Sequence, residues 1–241
     1  MPRIAVIGSS NTDMTVSVER LPAPGETIIG KAFSMTAGGK GANQAVAAAR
    51  LGARVAFIAC LGQDQFGDRS LEGFRREGID TSGIVRTARA SSGVALIFVD
   101  SRGENVIAVA PGANALLAPE HVRAAAGLIR SADVVLAQLE VPLEAVEAAA
   151  EAAREAGATF LLNPAPARDL PAGLLSRTAV LTPNETEAAL LAGIGAGSAP
   201  PEEVARMLLG RGAEAVVMTL GARGALAVTA ESADFIPAPQ V

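Results

Sequence analysis

The residues best suited to chemistry form a glycine-rich stretch before a segment of helical spacing. Residues 37–44 read Ala-Gly-Gly-Lys-Gly-Ala-Asn-Gln, so Gly38, Gly39 and Lys40 stand directly before an Ala/Val-rich segment. Backbone N–H groups at a helix start have no partner within the helix, and such helix starts bind polar ligands. Lys40 and Asn43 add directional donors and an acceptor. A ligand site and a tight glycine turn against a sheet explain this spacing equally well.

Three further polar side chains follow short apolar runs that we interpret as strands. Asn11 and Asp13 come after the first run, and Glu140 comes directly after the run that ends at Leu139. Ligands of open α/β sheets bind beyond the carboxyl ends of the strands. Asp13 and Glu140 could accept hydrogen bonds from neighbouring hydroxyl groups, with Asn11 and Asn43 completing the set. Taken singly, a turn role for Asn11 and a helix-start charge for Glu140 are favoured.

A second group of polar residues follows a later apolar run. Thr182 and Glu185 fit a capping box, which gives Glu185 a structural role. Asn184 and Glu187 are left over, three residues apart on one face of the first helical turn. A carboxylate beside a polyphosphate needs a cation between them, and Mg²⁺ takes one or two carboxylates while keeping most of its waters. The alternative for Glu187 is a solvated glutamate in the first turn.

The segment Thr219-Leu-Gly-Ala-Arg-Gly follows the last of the apolar runs and indicates a tight turn. The Thr219 hydroxyl and the backbone amides around Gly221 could hold the phosphates or the base edge of a nucleotide. A simple β-turn is the equal alternative for this segment.

The composition restricts both the chemistry and the partners. Among 241 residues there is one histidine, His121, and one cysteine, Cys60, which argues against Ser-His-Asp, Cys-His and His-rich metal mechanisms. Catalysis would then use carboxylates, lysine, asparagine, backbone amides or a bound cation. The net charge of −5 provides no field to attract nucleic acid. No apolar run is long enough for a targeting signal or a membrane span, and the cysteine usage fits a reducing cytoplasm.

Apolar runs alternate with segments of helical spacing along most of the chain. Half of the residues are hydrophobic, which is enough for a sizeable core. Near-continuous apolar strands between helices predict a doubly wound, mostly parallel sheet with helices on both faces. The apolar runs are 4–7, 55–61, 134–139, 159–162, 179–181 and 215–220, and the helical segments are 42–51, 65–77, 120–129, 143–155, 184–191 and 202–209.

Two stretches interrupt this alternation. Residues 12–36 and 92–110 contain β-rich runs with no helix between them, and residues 101–104 indicate a hairpin turn. We interpret them as a small antiparallel sheet inserted in a single α/β domain that spans residues 1–241. Such a sheet could close over a site as a lid, and its outer apolar face predicts a homodimer. A further hairpin is expected at residues 225–237, with no helix after it.

These pieces together resemble the ribokinase-like family of sugar and nucleoside kinases, which also includes fructokinases and adenosine kinases. The resemblance runs from residue 4 to residue 241, and the run Gly-Gly-Lys-Gly-Ala-Asn-Gln-Ala at 38–45 is typical of the ribokinases within that family. The other segments that carry it are Gly-Ser-Ser-Asn-Thr-Asp at 8–13, Pro-Gly-Glu-Thr at 24–27, Asn-Pro-Ala-Pro-Ala at 163–167 and Thr-Pro-Asn-Glu-Thr-Glu at 182–187.

The resemblance implies transfer of the γ-phosphoryl group of ATP to the 5-hydroxyl of D-ribose, by positioning and charge stabilisation. It implies Mg²⁺, with Glu187 in its network, an activating monovalent cation such as K⁺, and dimerisation through the lid. ATP contacts are implied at Asn184, Thr219 and Gly221. The implied pentose site consists of Asn11, Asp13, Gly38, Gly39, Lys40, Asn43 and Glu140.

The chain departs from the family at its carboxyl end. The glycine-rich helix start that carries the family's catalytic Asp is expected just after Val241, so we predict a C-terminally incomplete fold and assign no catalytic residue. Two alternatives to a ribokinase stay open: another carbohydrate kinase of the family, such as a fructokinase, and a sugar-binding protein without phosphoryl-transfer activity.

Overall fold

The computed structural model describes residues 1–240, which form thirteen strands and eight α-helices, with two short 3-10 helices at Gly112–Leu116 and Gly221–Arg223. The strands are β1 Arg3–Ile7, β2 Asn11–Ser17, β3 Ala32–Gly38, β4 Arg54–Gly62, β5 Ile84–Thr87, β6 Gly93–Val99, β7 Asn105–Ala110, β8 Val134–Ala137, β9 Thr159–Leu162, β10 Val180–Leu181, β11 Ala215–Thr219, β12 Gly224–Thr229 and β13 Ala233–Pro237. The helices are α1 Lys40–Arg50, α2 Gln65–Arg76, α3 Pro119–Ala124, α4 Ala126–Arg130, α5 Leu143–Ala156, α6 Ala172–Leu175, α7 Glu185–Ala192 and α8 Pro201–Gly210.

Nine of the strands form one large sheet in the order β13-β12-β11-β10-β9-β8-β1-β4-β5. Every neighbouring pair in this order from β11 to β5 is parallel. The strands β12 and β13 extend the sheet as an antiparallel hairpin beside β11, as expected for residues 225–237. Because parallel strands end at one edge, the loops after β1, β8, β10 and β11 all lie along the carboxyl edge of the sheet.

The sheet is buried on both faces, and β1 shows how. Ile7 belongs to a core that includes the buried faces of α5 and α8, whereas Val6 points to the opposite face and packs with α1 and α2. On that second face Phe57 meets Phe74 edge to face, with 5.0 Å between ring centroids. Alternate side chains of a strand point to opposite faces, so an apolar run without alternation requires cover on both. The predicted doubly wound α/β fold is confirmed.

Four strands form a second, small sheet in the order β3-β2-β6-β7. The predicted small sheet is therefore confirmed, and its outer pairs β2–β3 and β6–β7 are antiparallel. The central pair, β2 and β6, is parallel, which the sequence did not indicate. Both strands leave the large sheet at its carboxyl edge, where Asn11 pairs with Gly93, and therefore run in the same direction.

Several predicted elements have different bounds in the structure. The β-rich run at 27–36 becomes a strand only from Ala32, and the helix predicted at 120–129 divides at Ala125 into α3 and α4. The strand β5 and the helix α6 have four residues each, which is too short for a periodic pattern to indicate them. The longest helix, α5, has 14 residues, and no helix within residues 1–240 has the length and hydropathy needed to cross a membrane.

Candidate active site

The glycine-rich start of α1 is held by a carboxylate from the segment that follows β8. The backbone N–H of Lys40 donates to Oε2 of Glu140 at 2.9 Å, and the hydroxyl of Ser9 donates to the same oxygen at 2.6 Å. The N–H of Gly41 donates in turn to the Ser9 hydroxyl oxygen at 3.3 Å. A negative charge is stabilised beside the unpaired N–H groups at a helix start. Glu140 therefore stabilises the start of α1 through Oε2. Its other oxygen, Oε1, makes no hydrogen bond within residues 1–240.

Gly38 and Gly39 allow the backbone to approach its neighbours closely. A Cβ on Gly38 would lie 2.2–2.3 Å from the carboxylate atoms of Asp13, so the Asp13 side chain occupies that space. Gly39 has a φ of +90°, and a Cβ there would lie 2.8 Å from the Ser10 Cα and from the Asn11 nitrogen. Only glycine tolerates both the positive φ and this approach. The two glycines therefore bring Asp13 against the loop that carries Lys40.

The side chain of Asn11 is held by a residue that the sequence analysis missed. Asn114, in the 3-10 helix after β7, donates from Nδ2 to Oδ1 of Asn11 at 2.8 Å. Asn114 also accepts from the N–H of Ser10 at 2.9 Å and donates to the Ser10 carbonyl at 3.1 Å. All three residues are buried. The available signal was weak: an asparagine after Pro111-Gly112, where the chain returns from the small sheet.

Asn11, Lys40 and Glu140 line a single cleft of about 600 Å³. Asn114 lines it too, and Val109 of β7 contributes from the small sheet. The cleft thus lies where the carboxyl edge of the large sheet meets the small sheet, which is where an open α/β sheet binds its ligands. The structure therefore brings together three of the residues that the sequence singled out.

Asp13 shares the electrostatic environment of this cleft. It lies in the same row across the small sheet as Ala95 and Val109, so its side chain is on the face that turns toward the cleft. Burial raises the pKa of the Asp13 carboxyl, and the negative charge of Glu140 raises it further. Two carboxylates that repel each other across a partly desolvated space are typical of a functional site.

Asn43 lies apart from this group. It is exposed in the first turn of α1 and lines a neighbouring cleft with Val46 and Phe74. Asn11, Lys40 and Glu140 line a different cleft, so the position of Asn43 does not support a role in sugar binding, and that role stays a prediction.

A second group of polar residues lies further along the carboxyl edge, at the start of α7. The capping box predicted from Thr182 to Glu185 is wrong by two residues. Asn184 is the N-cap, and its Oδ1 accepts from the N–H of Glu187 at 2.8 Å. The Glu187 carboxylate accepts in return from the N–H of Asn184, also at 2.8 Å. Both residues thus have a structural role, and Oε2 of Glu187 is engaged while Oε1 is available.

Thr219 and Gly221 join this group from the end of β11. Thr219 forms a parallel bridge with Asn184, and its N–H donates to the Pro183 carbonyl at 2.9 Å. Gly221 is exposed, with a φ of +59°, and begins a short 3-10 helix whose Arg223 pairs with Glu185. Asn184, Thr219 and Gly221 therefore form one exposed polar edge. Within residues 1–240 there is no group of three or more His, Cys, Asp or Glu side chains that could hold a metal ion, and Glu187 therefore belongs to no such group.

A chain of side-chain amides lies between the two groups. Gln138 Nε2 donates to Oε1 of Gln44, whose own Nε2 donates to Oδ1 of Asn163 at 3.4 Å. Asn163 Nδ2 then donates to the Thr182 carbonyl at 2.8 Å, just before the cap of α7. These contacts connect α1, which carries Lys40, to the segment that carries Asn184.

Comparison with known proteins identifies the family of the chain. The profile of the pfkB family carbohydrate kinases matches residues 1–241. The ribokinase of Haemophilus influenzae is 45% identical over 222 residues, covering 92% of this chain and 72% of that protein. The ribokinase of Staphylococcus aureus is 43% identical over 241 residues, covering 99% of this chain and 79% of that protein. The deoxyribokinase of Salmonella typhi is 38% identical over 240 residues, covering 99% and 78%.

Solved structures agree with this assignment. The ribokinase of Thermotoga maritima superposes with a TM-score of 0.90 at 32% identity, covering 100% of this chain and 79% of that one. The ribokinase of Arabidopsis thaliana complexed with ribose and ATP superposes with a TM-score of 0.88 at 31% identity, covering 98% and 78%.

The fold and the carboxyl-edge site thus define a sugar kinase of the α/β class. The chain belongs to the pfkB family of carbohydrate kinases. The expectation of a C-terminally incomplete fold is not supported by the profile match, which continues through residue 241.

The raised pKa of Asp13 has a consequence for stability. The pKa of Asp13 is about 3.9 in the unfolded chain and higher in the folded chain. At pH values between these two pKa values the folded chain binds more protons, so the free energy of unfolding falls as the pH rises. Asp13 makes no side-chain hydrogen bond within residues 1–240 that its replacement would break. We therefore expect Asp13→Asn to raise the free energy of unfolding at pH 7, measured by urea denaturation, with the gain disappearing toward pH 4.

Asp133→Asn is the matched control with the opposite sign. A hydrogen bond from Arg3 holds the pKa of Asp133 below its usual range, so removing this charge lowers stability at pH 7. Lower stability of Asp13→Asn at pH 7 would contradict the position of Asp13 described above.

Proposed function

We propose that this chain is a ribokinase that binds D-ribose in the cleft lined by Asn11, Lys40 and Glu140, and transfers the γ-phosphoryl group of ATP to its 5-hydroxyl. The convergence of these three residues on one cleft is the observation that carries the proposal. The ribokinase relatives, which match almost the whole chain at 43–45% identity, support the choice of sugar.

The proposed sugar site offers both kinds of hydrogen-bonding partner. Each hydroxyl of a pentose can donate one hydrogen bond and accept others. Glu140 Oε1 and the carboxylate of Asp13 accept, whereas the ammonium of Lys40 donates. Gly38 and Gly39 let the backbone lie directly against Asp13 and Ser10. Hydrogen bonds to charged groups contribute more than those between neutral groups, so the carboxylates supply most of the discrimination.

The nucleotide is proposed to lie on the second polar edge. Asn184, Thr219 and Gly221 would contact ATP, and Glu187 would reach its phosphates through Mg²⁺. The Arabidopsis thaliana ribokinase complexed with ribose and ATP supports ATP as the phosphoryl donor. An activating monovalent cation such as K⁺ is proposed from the family resemblance alone. No residue of the described chain is proposed as the catalytic base.

Three other functions are distinguishable from this one. Deoxyribose as the substrate is the second candidate, because the Salmonella typhi deoxyribokinase is 38% identical to this chain. A fructokinase-like activity would show as phosphorylation of fructose, and a sugar-binding protein would bind ribose without ATP consumption. Measuring ADP release with ribose, deoxyribose and fructose separates the three kinase activities, and calorimetry with ribose identifies a protein that binds the sugar without consuming ATP.

The small sheet is proposed to act as the lid of a single domain that spans residues 1–241, and as a dimer interface. Its face opposite Asp13 carries apolar side chains on neighbouring strands, and Phe33, Leu96 and Val106 on that face are 61%, 51% and 53% exposed. An exposed apolar patch of this kind is typical of an interaction surface. We place the protein in the cytoplasm, because its phosphoryl donor is ATP and its one cysteine, Cys60, is a free thiol.

Asp13→Asn tests the sugar site directly. The amide keeps the shape of the side chain but replaces one acceptor oxygen with a donor, so the affinity for ribose falls roughly 100-fold or more. Isothermal titration calorimetry measures this change. Asp234→Asn on the exposed strand β13 is the control and leaves the affinity unchanged. Ribose binding by Asp13→Asn at the native affinity would contradict the proposed site.

Glu187→Gln tests the metal-linked nucleotide site. Glutamine keeps the capping box, since its oxygen can still accept from the N–H of Asn184, but it removes the charge that meets Mg²⁺. The affinity for ATP in the presence of Mg²⁺ falls about tenfold, while ATP in EDTA and ribose bind as before. Glu203→Gln, an exposed glutamate in the first turn of α8, serves as the control. Equal loss of affinity with and without Mg²⁺ would argue against a metal role for Glu187.

Leu96→Lys combined with Val106→Lys tests the dimer. Both residues are exposed in the single chain, so the substitutions leave its core intact and place four extra charges in a two-fold interface. Light scattering after gel filtration is expected to show a dimer for the native chain and a monomer for the variant. Leu51→Lys, at the exposed end of α1, should remain dimeric. A native chain that is already monomeric rejects this interface.

A further inference from the structure

The amide of Asn114 has an orientation that its backbone neighbours determine. Its Oδ1 faces the N–H of Ser10, which can only donate, and its Nδ2 faces the Ser10 carbonyl, which can only accept. Rotating this amide by 180° would oppose donor to donor and acceptor to acceptor. Asn114 is 1% exposed, so water cannot compensate for such a mismatch. The two contacts, at 2.9 and 3.1 Å, therefore fix which atom of Asn114 is the nitrogen.

This orientation determines the polarity of Asn11. The second proton of Asn114 Nδ2 points at Asn11 from 2.8 Å, so the Asn11 atom in that position must be its acceptor, Oδ1. The Nδ2 of Asn11 then has no hydrogen-bond partner within residues 1–240. Within the same residues, Gln138 Oε1 is the only fully buried side-chain polar atom without a partner, so Asn11 Nδ2 is accessible to solvent. The Asn11 amide group is therefore open to the cleft that Asn11 lines.

We propose that Asn114 is a positioning residue that makes Asn11 a hydrogen-bond donor, and not an acceptor, toward the sugar. The inference rests on the proposed function. The sugar oxygen beside Asn11 must then accept, and a hydroxyl there directs its own proton to a neighbouring carboxylate. A protonated amino group in the same position has no lone pair to offer, so it cannot accept this hydrogen bond from Asn11.

Gly93 protects this arrangement. A Cβ on Gly93 would lie 2.2 Å from Asn11 Oδ1 and 2.3 Å from Asn114 Nδ2, so any side chain would displace the bond between them. Gly93 begins β6, Asn11 begins β2, and Asn114 follows β7. The hydrogen bond therefore lies where both excursions of the chain enter or leave the small sheet, which ties the polarity of Asn11 to the seating of that sheet.

Two substitutions at position 114 separate positioning from simple loss of a contact. Asn114→Asp keeps an acceptor for the Ser10 N–H but turns its second oxygen toward the Ser10 carbonyl and toward Asn11. The Asn11 amide must then rotate and present its oxygen to the cleft. Ribose affinity then falls roughly 10- to 100-fold, because an acceptor faces an acceptor. Asn114→Ala leaves Asn11 free to keep its native orientation and lowers the affinity only about 3-fold. Calorimetry at pH 8 measures both, with Asn105→Asp on the exposed strand β7 as the matched control.

The order of the two losses decides the proposal. Native affinity in Asn114→Asp, or an equal or larger loss in Asn114→Ala, overturns it, because alanine leaves Asn11 free to donate whereas aspartate reverses the Asn11 amide. Affinity for ATP and Mg²⁺ is expected to remain native in both variants, which shows that they are folded.

Neutron diffraction from crystals of the native protein in deuterated solvent provides a readout that needs no sugar. Deuterium on Asn114 Nδ2 directed at Asn11 is the expected result, and an Asn11 Nδ2 that donates to Asn114 overturns the inference. If native protein fails to bind ribose, the proposed function fails, and the deuterium positions still decide the polarity of Asn11. If Asn114→Asp does not fold, the same positions decide it.

Discussion

One carboxylate oxygen, Oε2 of Glu140, connects three separate segments of the chain. It accepts from the Ser9 hydroxyl, which follows β1, and from the first N–H of α1, and Glu140 itself lies in the segment after β8. Because β1 and β8 are hydrogen-bonded neighbours in the large sheet, the glycine-rich loop cannot shift without breaking contacts on both. The positions of Lys40, Gly38 and Asp13 all depend on this anchorage. From the sequence, Glu140 resembled a charge that stabilises the start of the helix following it, α5. In the structure it instead accepts hydrogen bonds that fix the start of α1.

The large sheet could be predicted from the sequence because its strands are apolar without interruption. A run such as residues 55–61 has no polar face to expose, and it demands cover on both sides. Short elements gave no such signal, so β5 and α6 were missed. The pairing direction of β2 and β6 depends on where two distant segments leave the large sheet, which no local pattern records.

The site was predictable in part, and its errors have physical causes. Thr182 and Asn184 are both good N-caps, and each is followed three residues later by a glutamate, so the pattern allowed two registers for α7. The structure selects Asn184. The helix predicted from residue 42 begins at Lys40, and each residue of a helix turns it by about 100°, so the direction of Asn43 could not be read from spacing alone. Asn114 was missed because its importance lies in its buried amide contacts with Ser10 and Asn11, more than 100 residues away in the chain.

The parallel pairing of β2 with β6 has a mechanical consequence. Since Asn11 and Gly93 are direct partners, the two excursions begin side by side on the rim of the large sheet. The four strands of the small sheet are hydrogen-bonded to one another, and a short line through Asn11 and Gly93 joins β2 and β6 to the rim. If the small sheet closes over the cleft as the proposed lid, the displacement of each residue grows with its distance from that line. Asp13, two residues from Asn11, would then move little, whereas Val99 at the far end of β6 would move furthest.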